Sequence, residues 1–288
     1  MSNAIRKGTV QKKILRASTF TELCDDAICI EEPLEMVLRY EQHGKLVQAP
    51  LAITMRTPGD ETSLIGGYLF NEGILTHPNR QIQSIDFRFD CNGDTPTQQT
   101  AVVTLNPGVI PSLSPSVRHA YTHSSCGVCG RTTIDDLLDH CNFILKKNAP
   151  CMDRRVLYSL PSKLQSAQSA FSETGGSHCC AIFDMDGNIQ EWAEDIGRHN
   201  AMDKLCGKRL YADKLPLGNE CILLSGRASF ELVHKAYMIG CPILIAIGAP
   251  SSLAIETAEA CNMTLIGFAR HDRANIYSCA ERINLNQH

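Results

Sequence analysis

Apolar and polar positions change rhythm along this chain. In the first part, to about residue 121, apolar residues fall in short runs with β-branched content, at residues 46–55, 82–89 and 101–105, the second of them alternating apolar with polar. Each run predicts a strand. Between the first two, Pro58-Gly59-Asp60-Glu61 is a turn that opens a helix with Leu64, Ile65, Tyr68 and Leu69 on its apolar face. Residues 106–115 are rich in Pro, Ser and Gly and predict a loop or boundary. From about Ser177 the rhythm is different. Near-continuous apolar runs at 179–183, 221–224, 243–247 and 264–268 predict strands, and the spacing predicts helices over 200–206, 228–239 and 252–261. Strands without alternation, separated by helices, predict buried parallel strands with right-handed crossovers in a three-layer α/β domain.

Composition adds limits. The chain has 288 residues, 43% hydrophobic and 20% charged, enough for two domains with a real core. A net charge of -4 argues against a general nucleic-acid binder. The longest strongly apolar stretch, residues 242–249, is far short of the roughly 20 residues that a membrane-spanning helix needs. The first thirteen residues are polar and basic, with no apolar leader core. The 14 cysteines are spread irregularly, and Cys221, Cys241 and Cys261 sit in apolar runs as small buried hydrophobes. Together these predict a cytoplasmic protein with free thiols.

Ligands of parallel α/β sheets sit beyond the carboxyl ends of the strands. There the sequence places Ser225-Gly226-Arg227-Ala228-Ser229, Gly248-Ala249-Pro250-Ser251-Ser252 and Phe268-Ala269-Arg270-His271-Asp272-Arg273. Two of these segments open helices, whose free N–H groups favour an anion, and Arg227, Arg270 and Arg273 add phosphate donors. Ordinary helix caps with surface arginines explain any one such turn; three on one edge point to a phosphorylated or nucleotide-like ligand. For the polar cluster Glu194 to Asn200 the structural account is favoured, an Asp–Arg ion pair with an Asn cap. His178, after Thr174-Gly175-Gly176-Ser177, could face that site, although a lone histidine is more often structural.

Ser124-Ser125-Cys126-Gly127-Val128-Cys129-Gly130 is the most informative stretch. Its serines and glycines predict an exposed loop. Thr133 to Asp136 fits a capping box, which would set Cys129 just before a helix N-terminus and favour its thiolate. A zinc half-site lacks a second ligand pair. A thioredoxin-like dithiol expects a strand before the motif and a helix after it. A sulfur carrier, holding sulfur as a persulfide on a low-pKa thiolate, fits the loop.

Together, Thr57-Pro-Gly-Asp-Glu61, Ser125-Cys-Gly-Val-Cys-Gly130, Thr174-Gly-Gly-Ser-His178, Glu194-Asp-Ile-Gly-Arg-His-Asn200, Ser225-Gly-Arg-Ala-Ser229 and Thr264-Leu-Ile-Gly-Phe268 with Arg273 resemble the FdhD family of sulfurtransferases needed for formate dehydrogenase activity. The resemblance implies a cytidine-deaminase-like three-layer α/β/α main domain, residues 123–288, and a smaller N-terminal α/β domain, residues 18–122. It implies that Cys126 bears the persulfide, with Cys129 its companion. It implies sulfur from a cysteine desulfurase, passed to the molybdenum cofactor, a bis-guanine dinucleotide, of formate dehydrogenase. Phe268, Ala269, Arg270, His271, Asp272 and Arg273 match the family's cofactor-binding segment, with Arg227 and Ser225 nearby. Ala269 to Asp272 departs from the Lys-Pro-Gly turn of some relatives. A homodimer is implied as well. No Pro precedes Cys126 and no His-x-Glu motif is present, so neither catalytic zinc nor deaminase activity is expected. The rival reading is a molybdenum-cofactor chaperone whose cysteines form a regulatory thiol pair; a zinc-binding interaction module is a weaker one.

Overall fold

The computed structural model describes residues 8–17, 19–92, 95–113, 143–146 and 149–285. An antiparallel ribbon comes first, β1 (Thr9–Ala17) with β2 (Thr21–Cys29). Then follow β3 (Glu32–Gln42), β4 (Lys45–Arg56), α1 (Glu61–Asn71), the single turn α2 (Pro78–Gln81), β5 (Ile82–Asn92) and β6 (Thr95–Leu105). Strands β3 to β6 make one sheet in the order β4-β3-β6-β5, with β3 and β6 parallel and the outer pairs antiparallel. In β3, Leu34, Met36, Leu38 and Tyr40 recur every second residue and are all buried. A strand turns alternate side chains to opposite faces, so this spacing builds one apolar face. Leu64, Ile65 and Leu69 of α1 pack into the same core as that face, the helix face expected from the sequence.

The second part contains β7 (Met152–Asp153), α3 (Arg154–Ala167), α4 (Ser169–Thr174), β8 (His178–Asp184), β9 (Ile189–Asp195) and α5 (Arg198–Tyr211). It continues with β10 (Glu220–Leu224), α6 (Phe230–Met238), β11 (Ile243–Ala246), α7 (Ser252–Ala260), β12 (Thr264–Gly267), β13 (Asn275–Ser278) and β14 (Ile283–Asn284). Six of these strands form a sheet in the order β13-β12-β11-β10-β8-β9. Ile222 and Leu224 of β10 face a core shared with α5, α6 and α7. Cys221 and Leu223 face the opposite core, with Leu157, Leu160 and Leu164 of α3. Burying each such leucine stabilises the fold by ~1.5–3 kcal/mol, and burial on both faces explains why these strands read as continuous apolar runs.

The structure is thus mixed α/β with several sheets, and it corrects one expectation. In the six-stranded sheet only β10, β11 and β12 run parallel; β8, β9 and β13 are antiparallel to their neighbours. The connections dictate this. Strands β8 and β9 are joined by the tight turn at Asp186-Gly187, and β12 and β13 by a short loop, and neither is long enough for the crossover that parallel pairing needs. The division expected at residues 122/123 lies outside the described residues.

The two parts meet where α1 crosses α5, almost backbone to backbone. A Cβ added to Gly67 would lie 1.9 Å from the Asp203 carbonyl oxygen, and one added to Gly207 would lie 1.9 Å from that of Ser63. Beside this crossing, two polar motifs far apart in sequence interlock. Buried Asp195 pairs with buried Lys204 at 2.7 Å. Asp195 also accepts from the backbone N–H of Thr57 (3.1 Å) and Gly197 (2.8 Å) and from Asn200 Nδ2 (3.2 Å). Lys204 Nζ donates further to the carbonyls of Thr57 (2.8 Å) and Glu194 (3.4 Å). The Asp–Arg ion pair expected within Glu194 to Asn200 is not formed: Asp195 pairs instead with Lys204, six residues beyond Arg198. Asn200 does not cap a helix; it donates to the Met55 carbonyl and accepts from Thr54 Oγ1. A second buried pair, Asp203 with Lys235, holds Asn71 of α1 at 2.7 Å.

Candidate functional site

The carboxyl ends of β10, β11 and β12 are adjacent, because these three strands are parallel neighbours. Their loops are stitched to one another by backbone bonds. Gly248 N–H donates to Gly226 O (2.8 Å), Ala228 N–H to Ala249 O (3.2 Å), and Phe268 N–H to Gly248 O (3.0 Å). The structure therefore brings the three loops picked out in the sequence onto one edge. Ser229 stands at the N-cap of α6 and Ser251 at that of α7, where Ser251 Oγ accepts from Ala254 N–H at 3.2 Å. Both helices start at this edge, so their free N–H groups, with a partial positive charge, lie beside it.

The individual residues there have unequal roles. The guanidinium groups of Arg227 and Arg273 are exposed and form no hydrogen bond or ion pair with another described residue, although the Arg273 carbonyl accepts from Arg270 N–H at 2.8 Å. Arg270 is half-buried, and its Nη1 donates to the carbonyls of Ile247 (2.7 Å) and Ala269 (2.8 Å). It ties the β12 loop to the end of β11, so its guanidinium is partly committed to the scaffold and is not a free phosphate clamp. Ala269 is buried in the core, and its N–H donates to Ala246 O. Ser225 Oγ accepts from Cys179 N–H (2.9 Å), joining β10 to β8. His271 and Asp272 are exposed, 3.9 Å apart. Phe268 is the unusual member. Its φ of 52° is left-handed, and the residue is 40% exposed. An aromatic residue pays a steric cost in that region, and such strain collects at functional positions.

The antiparallel hairpin β8–β9 adds residues that the sequence alone did not assign to this edge. Its register sets His178 opposite Asp195, at the same end of the sheet as the β10 loop. The His178 ring lies over Gly226, where a Cβ would come within 3.4 Å of Nδ1. Burial, with Arg198 and His199 behind it, holds the His178 pKa below its ordinary value of 6.5, and Asp195 opposes them only in part. His199 Nε2 lies 2.7 Å from a Glu231 carboxylate oxygen and 3.5 Å from Ser229 Oγ. The motifs Thr174 to His178 and Glu194 to Asn200 were visible as polar clusters. Their convergence on the edge needed the hairpin register, which local pattern does not carry.

Cys126 and Cys129 lie outside the described residues, as does the expected capping box at Thr133 to Asp136. The described thiols are all free, and most are buried. Burial pushes Cys206 and Cys241 up to about 12 and raises Cys179, Cys180 and Cys221 as well. Thiols so hard to ionise are poor nucleophiles. Among the described residues no group of three His, Cys, Asp or Glu is arranged to hold a metal ion, and no helix is long and apolar enough to cross a membrane.

Comparison with known proteins matches the FdhD/NarQ family over residues 29–284. A protein named sulfur carrier protein FdhD from Streptomyces avermitilis is 42% identical over 265 residues, covering 90% of each chain. One of the same name from Mycobacterium tuberculosis is 38% identical over 262 residues, covering 90% of this chain and 92% of its own. The crystal structure of a putative formate dehydrogenase accessory protein from Desulfotalea psychrophila superposes with a TM-score of 0.69 at 21% identity, over 96% of this chain and all (100%) of that one. At that identity the likeness concerns the fold.

Proposed function

This chain belongs to the FdhD/NarQ family, and on that premise we propose that it is a sulfur carrier serving formate dehydrogenase. The observation that carries the reading is the match, along nine-tenths of their length, to relatives named sulfur carrier protein. In this reading Cys126 is the sulfur-bearing residue. Its thiolate attacks the terminal sulfur of a cysteine desulfurase persulfide, the donor's S–S bond breaks, and the donor cysteine leaves as thiolate. Cys129 tunes or relays the sulfur. The buried, hard-to-ionise thiols elsewhere support the assignment, because they are poor candidates for the same attack.

The acceptor in this reading is the molybdenum of a bis-guanine-dinucleotide cofactor, bound as cargo. Its anionic end docks at the strand-end edge, where Arg227 and Arg273 supply charge, Phe268 presents an aromatic face, and the starts of α6 and α7 point free N–H groups. Arg270 shapes the loop from behind, and Ser225, Ala269, His271 and Asp272 complete it. A deaminase-like main domain from residue 123, which the resemblance implies, and a cytoplasmic location, which composition predicts, belong to the same reading.

The test is intact-protein mass spectrometry after anaerobic incubation with a cysteine desulfurase and cysteine. Wild type is expected to gain one or more sulfur atoms that a reductant removes, and Cys126→Ala to gain none. A wild type with free thiols and no gain would favour the cofactor chaperone instead.

A further inference from the structure

The cluster Glu194 to Asn200 leaves one charge without a use. Lys204 occupies Asp195, so Arg198, the first residue of α5, has no carboxylate to meet there. Arg198 is half-buried, and its guanidinium forms no hydrogen bond or ion pair with another described residue. Its charge acts on a second side chain of the same kind, that of His178. His178 starts β8, and the residue after it is locked to the β10 loop by two bonds. Cys179 N–H donates to Ser225 Oγ (2.9 Å), and Cys179 O accepts from Ser225 N–H (2.9 Å). The His178 ring is thereby held over Gly226 at the carboxyl end of β10, and it too forms no hydrogen bond with another described residue.

The groups around this ring come from three elements. Helix α5 presents Arg198 and His199, β9 presents Asp195, and the β10 loop presents Gly226 with the exposed Arg227 beside it. Behind His199 stands Glu231 of α6, 2.7 Å from its Nε2. Asp195 is already committed to Lys204 and to three N–H donors. Burial first, and then Arg198 and His199, therefore keep the ring neutral at neutral pH. An anion set against Arg198 reverses that balance. A phosphate stabilises the imidazolium, and the imidazolium offers it an N–H donor in return. We propose that Arg198 and His178 grip a phosphate of the ligand together, and that His178 takes up a proton from the medium as the phosphate arrives. The pair extends the strand-end dock by residues of α5 and β8, and so rests on the reading of that edge as the seat of an anionic nucleotide end. It makes binding proton-linked, and stronger as pH falls.

The test is calorimetry with diguanosine pyrophosphate, whose two phosphates are both diesters and hold no proton that titrates near neutral pH. Titrations of the full chain in buffers of low and high ionisation enthalpy read the protons taken up on binding. Wild type is expected to take up a fraction of one proton at about pH 6.5 and none at about pH 8.5. Its affinity should fall between them by no more than about tenfold per pH unit, the limit for one proton. His178→Gln is expected to bind without proton uptake and with an affinity that stays level across this range. Arg198→Gln is expected to bind roughly ten- to a hundredfold more weakly at both pH values. It should also raise the titration midpoint of His178 in NMR spectra of the free protein, a shift that a merely structural role would not produce. Circular dichroism checks that each variant keeps the wild-type fold, and the wild-type proton count needs no variant. Binding without proton uptake, uptake that persists in His178→Gln, or wild-type affinity in Arg198→Gln would overturn the pairing and leave the edge as an anion site. No binding by wild type would overturn both the pairing and the proposed dock.

Discussion

The α1–α5 junction and the strand-end edge are built from similar residues and treat them in opposite ways. At the junction the two central pairs, Asp195 with Lys204 and Asp203 with Lys235, are buried and answered. Lys204 meets one carboxylate and two carbonyls, and Asp195 accepts from four groups in all. At the edge, Arg227 and Arg273 face solvent, and Phe268 holds a strained backbone with an exposed ring. Buried charge that is fully hydrogen-bonded specifies how two parts fit; exposed charge on rigid loops is left for something else to bind. Each region needs the other. Asp195 ends β9, and His178, opposite it, stands on the edge, so the junction also fixes where one wall of the candidate site lies.

The widest contrast is expected from Lys204→Met. It leaves the Asp195 carboxylate buried without its cation, and should cost about 3–5 kcal/mol in a denaturant titration. Gly207→Ala comes next. Its Cβ would strike the Ser63 carbonyl, a backbone atom that no rotamer change can move aside, and the loss should be about 1–3 kcal/mol or more. On the other side of the comparison, Arg273→Ala should leave the denaturation midpoint within error. It should weaken binding of GDP, as a probe of the proposed edge, roughly ten- to a hundredfold by calorimetry, the size of one lost charge-assisted bond. Unchanged GDP affinity would detach that arginine from the ligand. The smallest effect is that of His178. Because its folded pKa is depressed, the unfolded chain binds the proton more readily, and stability should decline as pH falls through 6.5 toward that lower value. His178→Gln should flatten that part of the profile in thermal melts recorded from pH 7.5 down to 5, to within the precision of the melts.

Much of the main sheet was legible because its physics is local. Strands β8, β10, β11 and β12 are buried on both faces, so their sequences are apolar without interruption. The helix from Glu61 was legible from its turn and its periodic face. Strand β9, IQEWAED, was not, because it is half-exposed and ends in the charges that serve the junction. Helix α3 is marked by Asp153, whose side chain accepts from Arg155 N–H, but Pro161 within it breaks the pattern that would announce it. The ribbon β1–β2 carries too many charges to read as strands from hydrophobicity alone.

For the candidate site, the sequence by itself determined the chemistry on offer: the Cys126–Cys129 pair, the glycine- and serine-rich turns, and the arginines that follow the strands. Residue types and short spacings set these, and a peptide carries them before it folds. The tertiary structure alone decided which of them are available. Arg270 is spent on backbone carbonyls, Lys204 displaces Arg198 as the partner of Asp195, and His178 joins the edge through the register of a hairpin. These choices depend on which carbonyls, carboxylates and strands lie within about 3 Å of a side chain after packing. That neighbourhood is assembled from segments far apart in the chain, and no window of sequence contains it.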